Sequence, residues 1–480
     1  MQWWRAPFAV AASTCAAATL AVAQPTPCRV DGLRNEVLCG SVERALDPAR
    51  RDGTKISVHY VVVPATARRK LPDAVFLLAG GPGQSAIELA PKLLPLFARL
   101  NHRRDIVFVD QRGTGRSAPL ACDVPPRLAD PRAQEALLLE CRDRLARLPG
   151  LGGADGLRHF TTWIAMQDLE AVRQQLGSAP VNLVGVSYGT RAALEFMRQF
   201  PRGVRRAVLD GVAPPGMILP VASSADAQAA LDAMFAACEA EAACARRFPS
   251  LRAEWAALLA RLPAAAAVPD PLTGQATQVT LTRDLLLRWV RGPLYAPSVA
   301  AALPAALDEA AGGRFAALAG LAALVEGRRE APVFMGMHLS VVCAEDAPRM
   351  ASATERPGAD FGTTFADSYA RICETWPRGE VPEAFYTIAP GTVPVLLFSG
   401  GLDPATPPRH GRLVAAALGT HALHVEVANA GHGVLAIGCA RDLLFRFVDA
   451  ASDAEALQLN AECLKGIPRP GSFLLPVPSR

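Results

Sequence analysis

A chain of 480 residues, 51% hydrophobic, is long enough for one large α/β domain with an insertion or for two ordinary domains. Lys and Arg number 49 against 45 Asp and Glu, a net charge of +4 with no long run of one sign. That composition excludes a disordered or fibrous chain and argues against nucleic acid as a partner.

The chain opens with Met1 to Arg5, runs through an Ala-rich apolar stretch from Ala6 to Val22, and reaches Ala21-Val22-Ala23 before Gln24. This order predicts a cleaved signal peptide over residues 1–23. An uncleaved anchor fits less well, because Ser13 and Thr14 interrupt the run. No later stretch has the roughly 18 uninterrupted apolar residues of a membrane span. The mature protein is therefore expected to be secreted or periplasmic, with no stable membrane insertion. Loss of Cys15 with the leader leaves Cys28, Cys39, Cys122, Cys141, Cys238, Cys244, Cys343, Cys373, Cys439 and Cys463. An even set in an exported chain suggests disulfides, and the neighbouring couples favour sequential pairing. No C-x2-C spacing supports a metal site. Cys238 and Cys244 pose a geometric problem, since six residues of α-helix rise about 9 Å. If they pair, the helical pattern around Phe235 to Arg247 has to break between them.

Short apolar runs that end in Gly, Asp or Ser recur at Ile56 to Val63, Ala74 to Ala79, Asp105 to Val109, Val181 to Val186 and Val204 to Leu209. Helical periodicity follows most of them, so the reading is a mostly parallel sheet with crossover helices on both faces. Residues 24–212 then form the first part of the core. From Ala213 to Pro390 the rhythm changes to Ala- and Leu-rich helical segments, among them Ala225 to Ala243, Thr282 to Val290 and Phe315 to Leu324. Strands resume at Val393 to Ser399 and Leu423 to Val427. Residues 213–390 are thus predicted to be a helical lid inserted before the last two strands, and 391–480 the C-terminal part of the core. A separate C-terminal domain would leave those last two strands without a sheet.

Gly185-Val186-Ser187-Tyr188-Gly189 lies between the strand ending at Val186 and a helical stretch from Thr190 to Phe200. A G-x-S-x-G sequence at a strand-to-helix turn is a nucleophile elbow, with Ser187 exposed at a helix N-terminus. A serine hydroxyl needs a base to take its proton, and that base a carboxylate to hold it. Of the histidines after Ser187, only His432 sits between glycines in a loop beyond the last strand. Asp403 follows the strand Val393 to Ser399 in a turn-rich loop and is the expected acid. Asp210, at the end of Val204 to Leu209, is its rival. The oxyanion of a tetrahedral intermediate would lie between the N–H groups of Tyr188 and of Gly81, in the loop Gly80-Gly81-Pro82-Gly83. Asp110 to Ser117 lacks the ending of a phosphate loop and the spacing of a dinucleotide fingerprint, so it reads as structural, with Arg112 buried and paired. No metal or organic cofactor is implied.

Taken together, the Gly80 to Gly83 loop, Asp110 to Ser117, Gly185 to Thr190, Leu209-Asp210-Gly211, Gly401-Leu402-Asp403 and Gly431-His432-Gly433 resemble the proline iminopeptidase and tripeptidyl aminopeptidase family of α/β-hydrolases. The cysteines, leader and long insertion resemble its secreted tripeptidyl branch. Ala79 stands where the iminopeptidase motif has His. The resemblance implies release of short N-terminal fragments from peptides with a free N-terminus, and hence acidic groups that hold the substrate ammonium. Glu345, Asp346 and Glu374, beside Cys343 and Cys373, are the candidates. A secreted carboxylesterase or lipase would use the same triad, and a catalytically dead binding protein would keep the fold without it.

Overall fold

Continuous runs of Val, Leu, Ile and Phe have to be covered on both faces, and the computed structural model, which describes residues 24–124, 131–270, 273–327 and 332–474, satisfies this with one large sheet. The leader predicted over residues 1–23 lies outside the described residues. In chain order the strands are β1 (Thr26–Cys28), β2 (Val37–Ala45), β3 (Lys55–Val63), β4 (Val75–Leu78), β5 (Ile106–Val109), β6 (Val181–Val186), β7 (Val204–Asp210), β8 (Ala264–Pro269), β9 (Ala276–Leu281), β10 (Val395–Gly400) and β11 (Ala422–Val427). Nine of them form a sheet in the order β1-β2-β3-β5-β4-β6-β7-β10-β11. The first three run antiparallel, and from β5 onward every neighbouring pair is parallel.

Successive side chains of the central strands enter opposite cores, as the period of two requires. Val395 and Leu397 of β10 join Leu183, Ala207 and Phe196 on one face; Leu396 and Phe398 join Val184, Val208 and Phe447 on the other. The helices Thr162–Gln175 and Tyr188–Gln199 cover the first face, and Ala86–Leu93 and Ala440–Asp449 the second. Among the described residues no helix is long and apolar enough to cross a membrane.

Two strands at the sheet edge were not among the predicted runs. β2 mixes Cys39, Gly40, Glu43 and Arg44 with its apolar residues, so it reads weakly as a strand, and β1 has three residues; a Cys28–Cys39 disulfide joins them. Tertiary packing places β2, since a Cβ at Gly40 would lie 2.3 Å from the Tyr60 ring of β3.

The segment between β7 and β10 carries the predicted helices, among them Val221–Ala240, Arg283–Leu294, Ala316–Gly327, Met335–Glu345 and Thr364–Thr375. It has its own apolar core around Phe235, Trp255, Leu286, Leu307 and Leu318. Contrary to expectation it is not purely helical, because β8 and β9 pair as an antiparallel hairpin. Ala264 to Ala267 have little preference of their own, and pairing with Ala276–Leu281 decides their conformation.

The ten cysteines among the described residues form five sequential disulfides: 28–39, 122–141, 238–244, 343–373 and 439–463. Around Cys238–Cys244 the expected break is present. The helix Val221–Ala240 stops at Glu241, whose ψ of 109° is extended, and a second helix restarts at Ala242. That interruption brings the two Cα atoms to 5.1 Å.

Candidate active site

β6 turns into the helix Tyr188–Gln199 at Ser187, whose φ of 57° and ψ of −126° are unusual for a residue with a side chain. The flanking glycines allow the turn by close approach. A Cβ at Gly185 would lie 2.5 Å from the Gly189 carbonyl oxygen, and one at Gly189 would lie 2.1 Å from the Leu78 carbonyl oxygen. The strained geometry is held from outside: the Ser187 N–H donates to the Asp210 carbonyl (2.9 Å), and the Thr190 hydroxyl donates to the Ser187 carbonyl (2.6 Å).

His432 and Asp403 meet at the ends of neighbouring parallel strands. Asp403 lies just past β10 and His432 in the loop after β11, and His432 Nδ1 is 2.8 Å from Asp403 Oδ2. The carboxylate is pinned by three more donors: the N–H groups of Ala405 (2.8 Å) and Thr406 (2.9 Å), and the Thr406 hydroxyl (2.7 Å). Burial alone would raise the Asp403 carboxyl, but the His432 charge and these hydrogen bonds hold it below its ordinary range. Burial alone would lower the His432 ring, but Asp403, helped by Asp210, holds it above its usual value. With Nδ1 engaged by a carboxylate, Nε2 keeps its lone pair free to take a proton.

Asp210, the rival acid, does not touch the ring through a hydrogen bond. Its buried carboxylate accepts from Val434 N–H (2.8 and 2.9 Å) and Leu435 N–H (2.9 Å), and so anchors the loop that carries His432. The step after β7 brings base and serine to one place: a Cβ at Gly211 would lie 3.3 Å from His432 Cε1, while the Asp210 carbonyl binds Ser187 N–H. Among the described residues the His432 ring meets Asp403 and Thr406 and not Ser187 Oγ, a bond that catalytic sites without substrate often tighten only in the complex.

The loop Gly80 to Gly83 runs beside the serine, a Cβ at Gly80 falling 3.2 Å from Ser187 Cβ. The N–H groups of Gly81 and Tyr188 donate to no acceptor among the described residues. Asp110 to Ser117 is structural, as expected. Arg112 is buried and donates to Asp168 (2.7 and 3.0 Å) and to the carbonyls of Leu46 and His159.

Two of the three acids expected at a substrate amine are buried, and one is exposed. Glu345 and Asp346 have no exposed surface. Glu345 accepts from Thr162 N–H (2.6 Å) and the Thr162 hydroxyl (3.0 Å), and Asp346 pairs with Arg191 (3.1 Å) and Leu219 N–H (3.0 Å). Helix Met335–Glu345 packs into the interior along most of its surface, and both carboxylates lie against the buried Arg191. Glu374 is exposed on the helix Thr364–Thr375, beside Arg371. Among the described residues no cluster of three or more His, Cys, Asp or Glu could hold a metal ion.

Two residues at the site carry little or no signal in the sequence. Thr406, three residues after Asp403, left a faint signal, a hydroxyl placed to cap a turn. Tyr295, from the inserted segment, left none: its carbonyl accepts the His432 N–H (3.0 Å) and its ring meets the imidazole edge to face at 5.1 Å.

Comparison with known proteins finds α/β-hydrolases. A family profile described as "alpha/beta hydrolase fold" matches residues 73–275, and one described as "TAP-like protein" matches residues 358–455. The chain has the α/β-hydrolase fold, and the two matching profiles support the peptidase family of that fold. It is a serine hydrolase. Serine protease Hip1 of Mycobacterium tuberculosis is 25% identical over 422 residues, covering 80% of this chain and 81% of Hip1. Tripeptidyl aminopeptidase of Streptomyces lividans is 31% identical over 206 residues, 39% of this chain and 38% of that enzyme. Among solved structures, a serine hydrolase of Cycloclasticus zankles is 13% identical with a TM-score of 0.39, covering 86% of this chain and 98% of that one.

Proposed function

We infer that the protein is an exported aminopeptidase that releases short fragments from the N-terminus of peptides through an acyl-enzyme. Ser187 Oγ attacks the scissile carbonyl, His432 Nε2 takes its proton and returns it to the leaving amine, and Asp403 holds the imidazole in the Nδ1–H tautomer. The oxyanion lies between the N–H groups of Gly81 and Tyr188, whose donors cost nothing to reorganise as the charge develops. Water then repeats the sequence on the ester. The observation that carries the reading is the 2.8 Å contact between His432 and Asp403 beside a strained, pre-aimed Ser187.

The exopeptidase part rests on the likeness to tripeptidyl aminopeptidase and on the inserted segment, which reaches the His432 loop at Tyr295. Five disulfides suit the oxidising compartment that a leader over residues 1–23 would reach. The test compares a tripeptidyl anilide with its N-acetylated form and with a nitrophenyl ester. Acetylation should lower kcat/KM at least about tenfold, roughly 1.4 kcal/mol of transition-state stabilisation. Equal turnover of blocked and free anilides would overturn the aminopeptidase reading, and turnover of the ester alone would favour a carboxylesterase.

A further inference from the structure

The loop Gly80 to Gly83 has almost no side chains with which to hold its own shape, yet three of its four carbonyls are engaged. The Gly80 carbonyl accepts Gln84 N–H (3.3 Å) from within the turn, and the Gly83 carbonyl accepts Phe334 N–H (2.8 Å) from the inserted segment. The third, that of Pro82, is 3.1 Å from His338 Nδ1 on the helix Met335–Glu345. A carbonyl only accepts, so Nδ1 carries the proton and Nε2 accepts the Tyr369 hydroxyl at 2.8 Å. Burial lowers His338 to about 4, so the ring stays neutral and keeps this tautomer. Tyr369 lies on the helix Thr364–Thr375, and a Cys343–Cys373 disulfide joins the two helices five residues beyond His338 and four beyond Tyr369.

We propose that His338, oriented by Tyr369, is a positioning residue of the inserted segment that fixes the Gly80 to Gly83 loop so that the Gly81 N–H faces the developing oxyanion. The inference rests on the Ser187 and Gly81 reading above. Its physical basis is that an oxyanion donor acts only at the right distance, and a loop of glycines reaches that distance only when something outside holds it. The inserted segment thus completes the catalytic geometry as well as covering it.

The test uses His338→Leu, His338→Gln and Tyr369→Phe in the full chain, with thermal midpoints to establish folding. His338→Leu should lower kcat on the free-amine anilide by about ten- to a hundredfold with KM changed less than about twofold. Inhibition by a peptidyl trifluoromethyl ketone, whose hemiketal carries the oxyanion, should weaken by the same factor. His338→Gln keeps an N–H for the Pro82 carbonyl and should recover to within about threefold of wild type. Tyr369→Phe retains the ring and should lose a few-fold in kcat, which keeps the proposal testable if His338→Leu does not fold. Unchanged kcat in His338→Leu, or a loss in KM alone, overturns the proposal while leaving the Ser187 reading standing. Fluorophosphonate labelling that persists in Ser187→Ala overturns both.

Discussion

Asp210 reaches Val434 with both carboxylate oxygens, at 2.8 and 2.9 Å, and grips the chain two residues past His432 without a hydrogen bond to its ring. Asp403 does the opposite, holding the ring itself at 2.8 Å. The two acids should therefore fail differently. Asp403→Asn is expected to lower kcat by about four orders of magnitude, because the amide favours the wrong tautomer. Asp210→Asn should cost about 1–3 kcal/mol of stability through the orphaned N–H groups. Anilide kinetics and thermal unfolding of both variants check this, and the reverse ranking would exchange their roles.

Ser187 itself should report the strain of its turn. Ser187→Ala and Ser187→Gly are both expected to abolish turnover and fluorophosphonate labelling. Only glycine relieves the φ of 57°, so the glycine variant should be about 1 kcal/mol more stable than the alanine variant. Equal unfolding midpoints would mean that the turn stores no strain.

The pH dependence of activity should follow His432. Its ring is held above the usual imidazole value, chiefly against burial and by Asp403, so the acid limb of kcat/KM should lie above about pH 6.5. Residual activity of Asp403→Asn should show that limb moved to lower pH, since the largest charge favouring the imidazolium is gone. A limb that stays in place in the variant would assign the titration to another group.

Stability should carry the mark of Glu345. Burial pushes its carboxyl from 4.5 up to about 7. A group raised in this way binds its proton more tightly in the folded chain, so its contribution is full below 4.5 and is lost as pH rises through 7. Wild type should lose up to about 3 kcal/mol on this account, and Glu345→Gln should be spared that loss. The stability of the variant relative to wild type should then rise between pH 5 and pH 8 in denaturant titrations, and a constant difference would remove Glu345 as the titrating group.

The disulfides should differ in weight with the loop each closes. Replacing Cys238 and Cys244 together by Ala is expected to cost about 2 kcal/mol, and replacing Cys439 and Cys463 about 3–4 kcal/mol. Non-reducing peptide mapping tests the pairing itself, and any crossed pair or free thiol among the ten would contradict it.

Several of these features were readable from the chain alone because their causes are local. The elbow at Ser187 needs only its two glycines, an apolar strand before it and a helix after it, and all are contiguous. The break at Glu241 followed from helix geometry once Cys238 and Cys244 were paired. The central strands announced themselves by continuous apolar runs, since both faces are covered. What lies across the sheet or between the inserted segment and the core was decided only in three dimensions. Asp210 ends β7 and Asp403 lies just past its neighbour β10; the turn-rich loop favours Asp403 as the acid, but that Asp210 turns instead to the backbone of Val434 is set only by how the strand ends pack. Glu345 and Asp346 look in sequence like acids free to meet a substrate; the buried guanidinium of Arg191, some 150 residues earlier, draws them inside. Tyr295 and His338 act through a backbone carbonyl and a ring nitrogen on distant loops, contacts set by how the inserted helices pack and by no periodicity of their own.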